Sequence, residues 1–142
     1  MTQFATGLPP SRDLSIKVAS IARTDTAAKN LFMLPKGAVP LYFLVFSGTA
    51  SDAATTATIS VGKTGTGTFF LNTVDVKTAA GLIVPPTAKN TNLVTGLTAD
   101  TQVIGVYAET GTASTTGGPF IVMLVYMRVG PGDLTSAGVL VN

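Results

Sequence analysis

At 142 residues and 14.4 kDa the chain is one domain's worth of material. Its 46% apolar residues and mean hydropathy of +0.47 supply a core without metal or disulfide staples. Only 11% of residues are charged, against about 25% in a typical soluble domain, and the absence of His, Cys and Trp excludes Ser/His/Asp and Cys/His nucleophile systems and protein-ligated zinc, haem or iron–sulfur centres.

Residues 1–13 read as an extended arm, because Gly7 followed by Leu8-Pro9-Pro10 cannot be helix. Residues 14–142 read as a single β-sandwich domain. Leu14, Ile16 and Val18 alternate with Ser15, Lys17 and Ala19, the period-two signature of a strand with one wet face. Residues 24–30 are polar, and the short apolar run 31–34 is closed by the turn signal Pro35-Lys36-Gly37. Residues 41–46 are six apolar residues in succession and predict a buried strand. Residues 57–61 and 68–71 flank the Gly-rich run 62–67 and predict a hairpin, with 73–77 extending its second strand. Further strands are expected at 82–84, before Pro85-Pro86, at 92–97, and at 102–108. Residues 109–119 read as a flexible Thr/Ser/Gly tip, which as a hairpin loop would set the last strand, 120–129, antiparallel to the one before it. Gly130-Pro131-Gly132 ends that strand, leaving a tail with Val139-Leu140-Val141 at its close.

No window carries an amphipathic helix of twelve or more residues, and Thr, Val, Ile, Phe and Tyr dominate the patterned segments. Seven to nine short strands with frequent turn signals specify an all-β antiparallel β-sandwich. A jelly roll is favoured over an immunoglobulin-like sandwich, which here would lack its inter-sheet disulfide and core Trp.

Two strands break the expected alternation. Along residues 120–127 both faces are apolar, and the same holds for 41–46. If one set fills the core, the other set of the last strand, Ile121, Met123, Val125 and Met127, faces outward. Such a patch is a liability on a lone monomer. Either the arm or segment 24–34 folds back over it, or a partner subunit covers it.

Catalytic readings are weak. The seven acidic residues, Asp13, Asp25, Asp52, Asp75, Asp100, Glu109 and Asp133, lie far apart, and nothing brings two together as glycosidase chemistry requires. No Asp-x-Asp spacing supports calcium. Gly62-Lys63-Thr64 has the ending of a phosphate-binding loop, but Ala57 stands where the first Gly belongs and a strand follows. Tyr42, Tyr107 and Tyr126 could stack on sugars, although packing explains them as well. The nine basic residues are scattered singly, so no nucleic-acid partner is expected. The longest apolar run is eight residues, too short for a membrane helix of ~20, and residues 1–10 lack a leader pattern, so neither membrane association nor export is expected. No cofactor is expected.

The proline-bearing arm, the Thr/Gly/Ala-rich strands, the segment Gly96-Leu97-Thr98-Ala99-Asp100-Thr101-Gln102-Val103-Ile104-Gly105-Val106-Tyr107-Ala108 and the Gly117-Gly118-Pro119-Phe120 lead into the closing strand resemble small virion proteins of tailed bacteriophages. They are most similar to capsid decoration, or cement, proteins. The resemblance implies a non-enzymatic structural protein on the capsid exterior, assembled in the host cytoplasm. It further implies a partner in the major capsid protein, and a homo-oligomer, with a trimer favoured and a dimer the alternative. Tail or fibre components and carbohydrate-binding β-sandwich modules are the competing readings. The candidate interface is the arm, with Phe4, Leu8, Pro9, Pro10 and Arg12, together with Ile121, Met123, Val125 and Met127.

Overall fold

A computed structural model describes residues 14–128, in eight strands with no α-helix among them. In chain order these are β1 (Leu14–Ile21), β2 (Lys29–Leu34), β3 (Val39–Ser47), β4 (Thr56–Lys63), β5 (Thr66–Asp75), β6 (Gly81–Ile83), β7 (Thr101–Thr110) and β8 (Phe120–Met127). They form two four-stranded antiparallel sheets, ordered β1-β8-β3-β6 and β2-β7-β4-β5. The pairs β1–β8, β2–β7, β3–β6 and β4–β5 are all hydrogen-bonded, as when one long hairpin is wound around a barrel. This is the jelly roll.

Only the β4–β5 connection is a tight hairpin. Its turn, Thr64-Gly65, places Gly65 at φ +86°, a region that costs an L side chain but not glycine. The core lies between the sheets. The first sheet contributes Ile21, Phe43, Val45, Phe120, Val122 and Leu124, and the second contributes Leu34, Ile59, Val61, Phe70, Val103 and Tyr107. Aromatic contacts tie the two layers: Tyr107 stacks on Phe120 with centroids 5.4 Å apart, and Phe43 meets Phe70 at 5.6 Å.

Four expectations change. Residues 92–97 are not a strand, because Asn92 and Val94 hold φ of 53° and 60°, in the left-handed region, which breaks an extended run. The connection between β7 and β8 is not a hairpin loop: β7 belongs to the second sheet and β8 to the first, so residues 111–119 cross the edge of the sandwich. Segment 24–34 does not lie over the last strand, since it turns the corner into β2 of the opposite sheet. The alternation in β1 also has the opposite sense to a wet-faced strand. Leu14, Ile16 and Val18 point outward, while Ile21 is buried beside its partner Phe120.

The crossing segment is tied down rather than free. The Asp52 carboxylate accepts hydrogen bonds from the Thr115 hydroxyl at 2.6 Å and from the Thr115 and Thr116 amides at 2.8 and 2.9 Å. Behind it, the buried Tyr107 hydroxyl donates to Glu109 at 2.6 Å and lies 2.7 Å from Ser51 Oγ, while the Ser114 amide donates to both Glu109 oxygens. Arg23 closes the group by donating to the Ser114 carbonyl at 2.8 Å.

Candidate functional site: an uncharged sheet face

The outer side of β1-β8-β3-β6 is apolar across all four strands. Side chains alternate across a strand, and the register fixes which of them share this side. Ile16 pairs with Val125, which pairs with Tyr42; Val18 pairs with Met123, which pairs with Leu44. In the next row Ser20 pairs with Ile121, Ile121 with Phe46, and Phe46 with Leu82. Leu14 and Met127 pair at one end. No charged residue occurs on this face; its polar groups are the Tyr42 hydroxyl and Ser20, which sits at its margin.

Leu14, Ile16, Val18 and Leu82 are 57–65% exposed, and Tyr42 and Phe46 are 46% and 44% exposed. Ile121, Met123, Val125 and Met127 are half-buried, because β8 is central and flanked on both sides. The other sheet is different. Its outer side carries Thr56, Thr58, Ser60 and Thr110 around β4 and β7.

Of the residues expected at an interface, Ile121, Met123, Val125 and Met127 come together on the central strand of this face. Phe4, Leu8, Pro9, Pro10 and Arg12 lie outside the described residues. The sequence reading missed Leu14, Ile16 and Val18, Tyr42, Leu44 and Phe46, and Leu82. The doubly apolar run 41–46 carried a signal for the second group. For β1 there was none, since an alternating strand does not declare which of its sets faces in.

The polar groups are spent on structure. The Thr115 hydroxyl and the Thr116 amide hold the Asp52 carboxyl down at about 2. Ser114 and the Tyr107 hydroxyl lower that of Glu109, and burial, then the Glu109 carboxylate, raises the Tyr107 phenol. Asp25 is lowered by the Ala22 amide and by Lys29, its ion-pair partner at 3.0 Å. Among the described residues no three acidic side chains gather where a metal could sit, and no helix is long and apolar enough to cross a membrane. The Gly62-Lys63-Thr64 run lies in the β4–β5 hairpin. A Cβ on Gly62 would collide with the Thr66 carbonyl and the Gly67 backbone, so this glycine serves a close strand approach, and Lys63 Nζ sits 4.1 Å over the Phe69 ring. An open groove of about 570 Å³ beside it is lined by Lys63, Phe69, Asn92, Leu97, Asp100 and Gln102. Lys63 covers the aromatic ring there, and the Gln102 amide is committed to the Phe32 and Val103 carbonyls. Of the three tyrosines, Tyr107 and Tyr126 are buried and Tyr42 belongs to the apolar face.

The jelly roll is a fold shared by viral capsid domains, lectins and cupins, and two phage capsid structures hold a chain that superposes on this one. A chain of the acidic stable capsid structure of Helicobacter pylori bacteriophage KHP30 superposes with a TM-score of 0.59 at 16% identity, over 80% of this chain and 86% of that one. A chain of the cyanophage Pam1 capsid asymmetric unit superposes with a TM-score of 0.62 at 22% identity, over 85% and 89%. At these identities the fold is what is shared. The resemblance to phage virion proteins read from the sequence thus meets two phage capsid structures holding a chain of the same fold. No protein-family model matches the chain, and no curated protein matches it in sequence.

Proposed function

We propose that this chain is a non-enzymatic virion structural protein that decorates the exterior of a phage capsid and stabilises it by bridging major capsid subunits, acting as a homo-oligomer. The observation that carries this reading is the charge-free face of β1-β8-β3-β6, larger than an isolated soluble domain ordinarily leaves exposed. The shared fold with chains of two phage capsids supports the same reading.

The mechanism is multivalent burial. Each apolar side chain removed from water contributes roughly 1–2 kcal/mol before the entropy of association is subtracted. Copies tied together then bind the lattice far more tightly than one copy alone. No reaction is required. Residues 1–13, with Phe4, Leu8, Pro9, Pro10 and Arg12, act in this reading as a clasp laid on a neighbouring subunit. A carbohydrate-binding module is less well supported, because the one exposed tyrosine stands among aliphatic neighbours with no polar groups for a sugar.

The test is sedimentation with expanded capsids of the phage that encodes the chain. Co-sedimentation, and indifference to glycans, is the expected result; glycan binding without particle binding refutes the reading. Removal of residues 1–12 is expected to abolish particle binding and leave the fold intact, and undiminished binding by the shortened chain rules out the clasp.

A further inference from the structure

We propose that the outer face of β1-β8-β3-β6 pairs with the same face of a second copy of this chain, about a two-fold axis running along β8. The inference deepens the reading above and rests on it for the purpose of the face. It commits to an occupant, a second copy.

Area is the first argument. Five side chains on β1 and β3 are 44–65% exposed, and at on the order of 100 Å² each, with the half-buried central strand added, these three strands offer roughly 700 Å², close to what each partner contributes to a stable interface. Width is the second. Four strands span about 19 Å, whereas a single extended segment, such as the chain before Leu14 or after Arg128, would cover a strip about 5 Å wide. Residues 1–13 offer Phe4 and Leu8 as large apolar groups beyond Met1, against eleven apolar side chains on the face. A second sheet covers β1, β8 and β3 together and leaves only Leu82 of β6 at the rim.

Charge and shape supply the rest. A charged face would repel its own copy, and this one has no charge to repel. Two sheets packed face to face lie about 10 Å apart and nearly aligned. With the axis along β8, the β3 column of one copy lies over the β1 column of the other, so Tyr42 meets Ile16, Leu44 meets Val18 and Phe46 meets Ser20. The bulky column falls on the slim one. An axis across the strands would instead set β3 on β3 and β1 on β1, bulk against bulk and gap against gap. The pairing is isologous and closes at two copies, so on this face a dimer replaces the trimer favoured from the resemblance.

The test uses the full chain in sedimentation equilibrium, from about 1 to about 100 μM, a range that brackets a micromolar interface. Twice 14.4 kDa is the expected mass. Met123→Glu, at the centre of the face, and Val18→Glu, at an exposed edge position that can bear a charge without disturbing the core, are each expected to weaken association about 100-fold or more by leaving a carboxylate desolvated. Ser20→Phe is expected to weaken it about tenfold, and the exchange of sizes in Ser20→Phe with Phe46→Ser to restore it, with circular dichroism confirming the fold of each variant. A monomer throughout the range, a dimer indifferent to both glutamates, or an exchanged pair no tighter than Ser20→Phe alone overturns the inference. A monomer that still co-sediments with capsids sinks the pairing and spares decoration; a dimer that ignores capsids does the reverse.

Discussion

Leu124 and Met123 are adjacent on β8 yet belong to different environments, and the same substitution at each separates the core from the face. Leu124 is fully buried between the sheets, and Met123 is half-buried on the outer side between Val18 and Leu44. Leu124→Thr removes apolar burial worth about 2 kcal/mol, leaves a cavity, and buries a hydroxyl with no partner at a further cost of about 1–3 kcal/mol. The total is about 4 kcal/mol. For a chain of this length that lowers the melting temperature by roughly 12 °C or more. Met123→Thr puts a β-branched residue, which suits a strand, in place of Met on the outer side, and costs folding less than about 1 kcal/mol, or a shift under about 4 °C. Melts followed by circular dichroism at low protein concentration measure folding without a contribution from association, which at high concentration adds to apparent stability by mass action. Equal losses at the two positions would show that the sides of β8 have been assigned wrongly, and with them the whole outer face.

Val94 sits at φ +60° and is 71% exposed, so Val94→Asn should raise stability by about 1 kcal/mol by relieving left-handed strain in a β-branched residue without loss of packing. A lower melting temperature for that variant would contradict the assignment. Asp52 titrates at about 2, below its ordinary 3.8, because of the Thr115 and Thr116 hydrogen bonds. Its stabilising contribution is therefore complete above about 3.8 and disappears as pH falls through about 2. Urea midpoints between pH 5 and pH 2 should fall less steeply for Asp52→Asn than for the parent chain. Some acid dependence should survive, since Asp25 and Glu109 are lowered in the same direction, as is Asp75, whose burial raises it but is outweighed by its hydrogen bonds from Thr78 and the Lys77 amide taken together. Superimposable acid limbs would mean that the crossing segment does not depend on the Asp52 carboxylate.

Much of the architecture was legible because strand signals are local. The period of two in residues 14–19, the Gly-rich turn between residues 61 and 68, and the unbroken apolar runs at 41–46 and 120–127 each appear as strand or turn where expected. The doubly apolar β8 also foretold that one apolar set would be left outside the core, because a strand apolar on both sides must show one of them; that this set is Ile121, Met123, Val125 and Met127 comes from the register in the sheet. Residues 92–97 were misread because strand propensity at Leu93 and Val94 does not reveal backbone angles set by the Val94 amide's bond to the Pro40 carbonyl and by the Asn92 side chain's bond to the Phe69 carbonyl. The segment 109–119 looked free because its anchors, Asp52 and the Thr49 carbonyl, lie some sixty or more residues away in sequence.

By itself the sequence determined an all-β chain poor in charge, without the residues of most catalytic sites, and with more apolar strand surface than one core accommodates. Tertiary structure alone decided that Ile21 pairs with Phe120 inside, and so turned Leu14, Ile16 and Val18 outward to join β8 and β3 in one continuous face. The reason is that alternation divides a strand into two sets without ranking them. Only long-range register selects the set that meets the core.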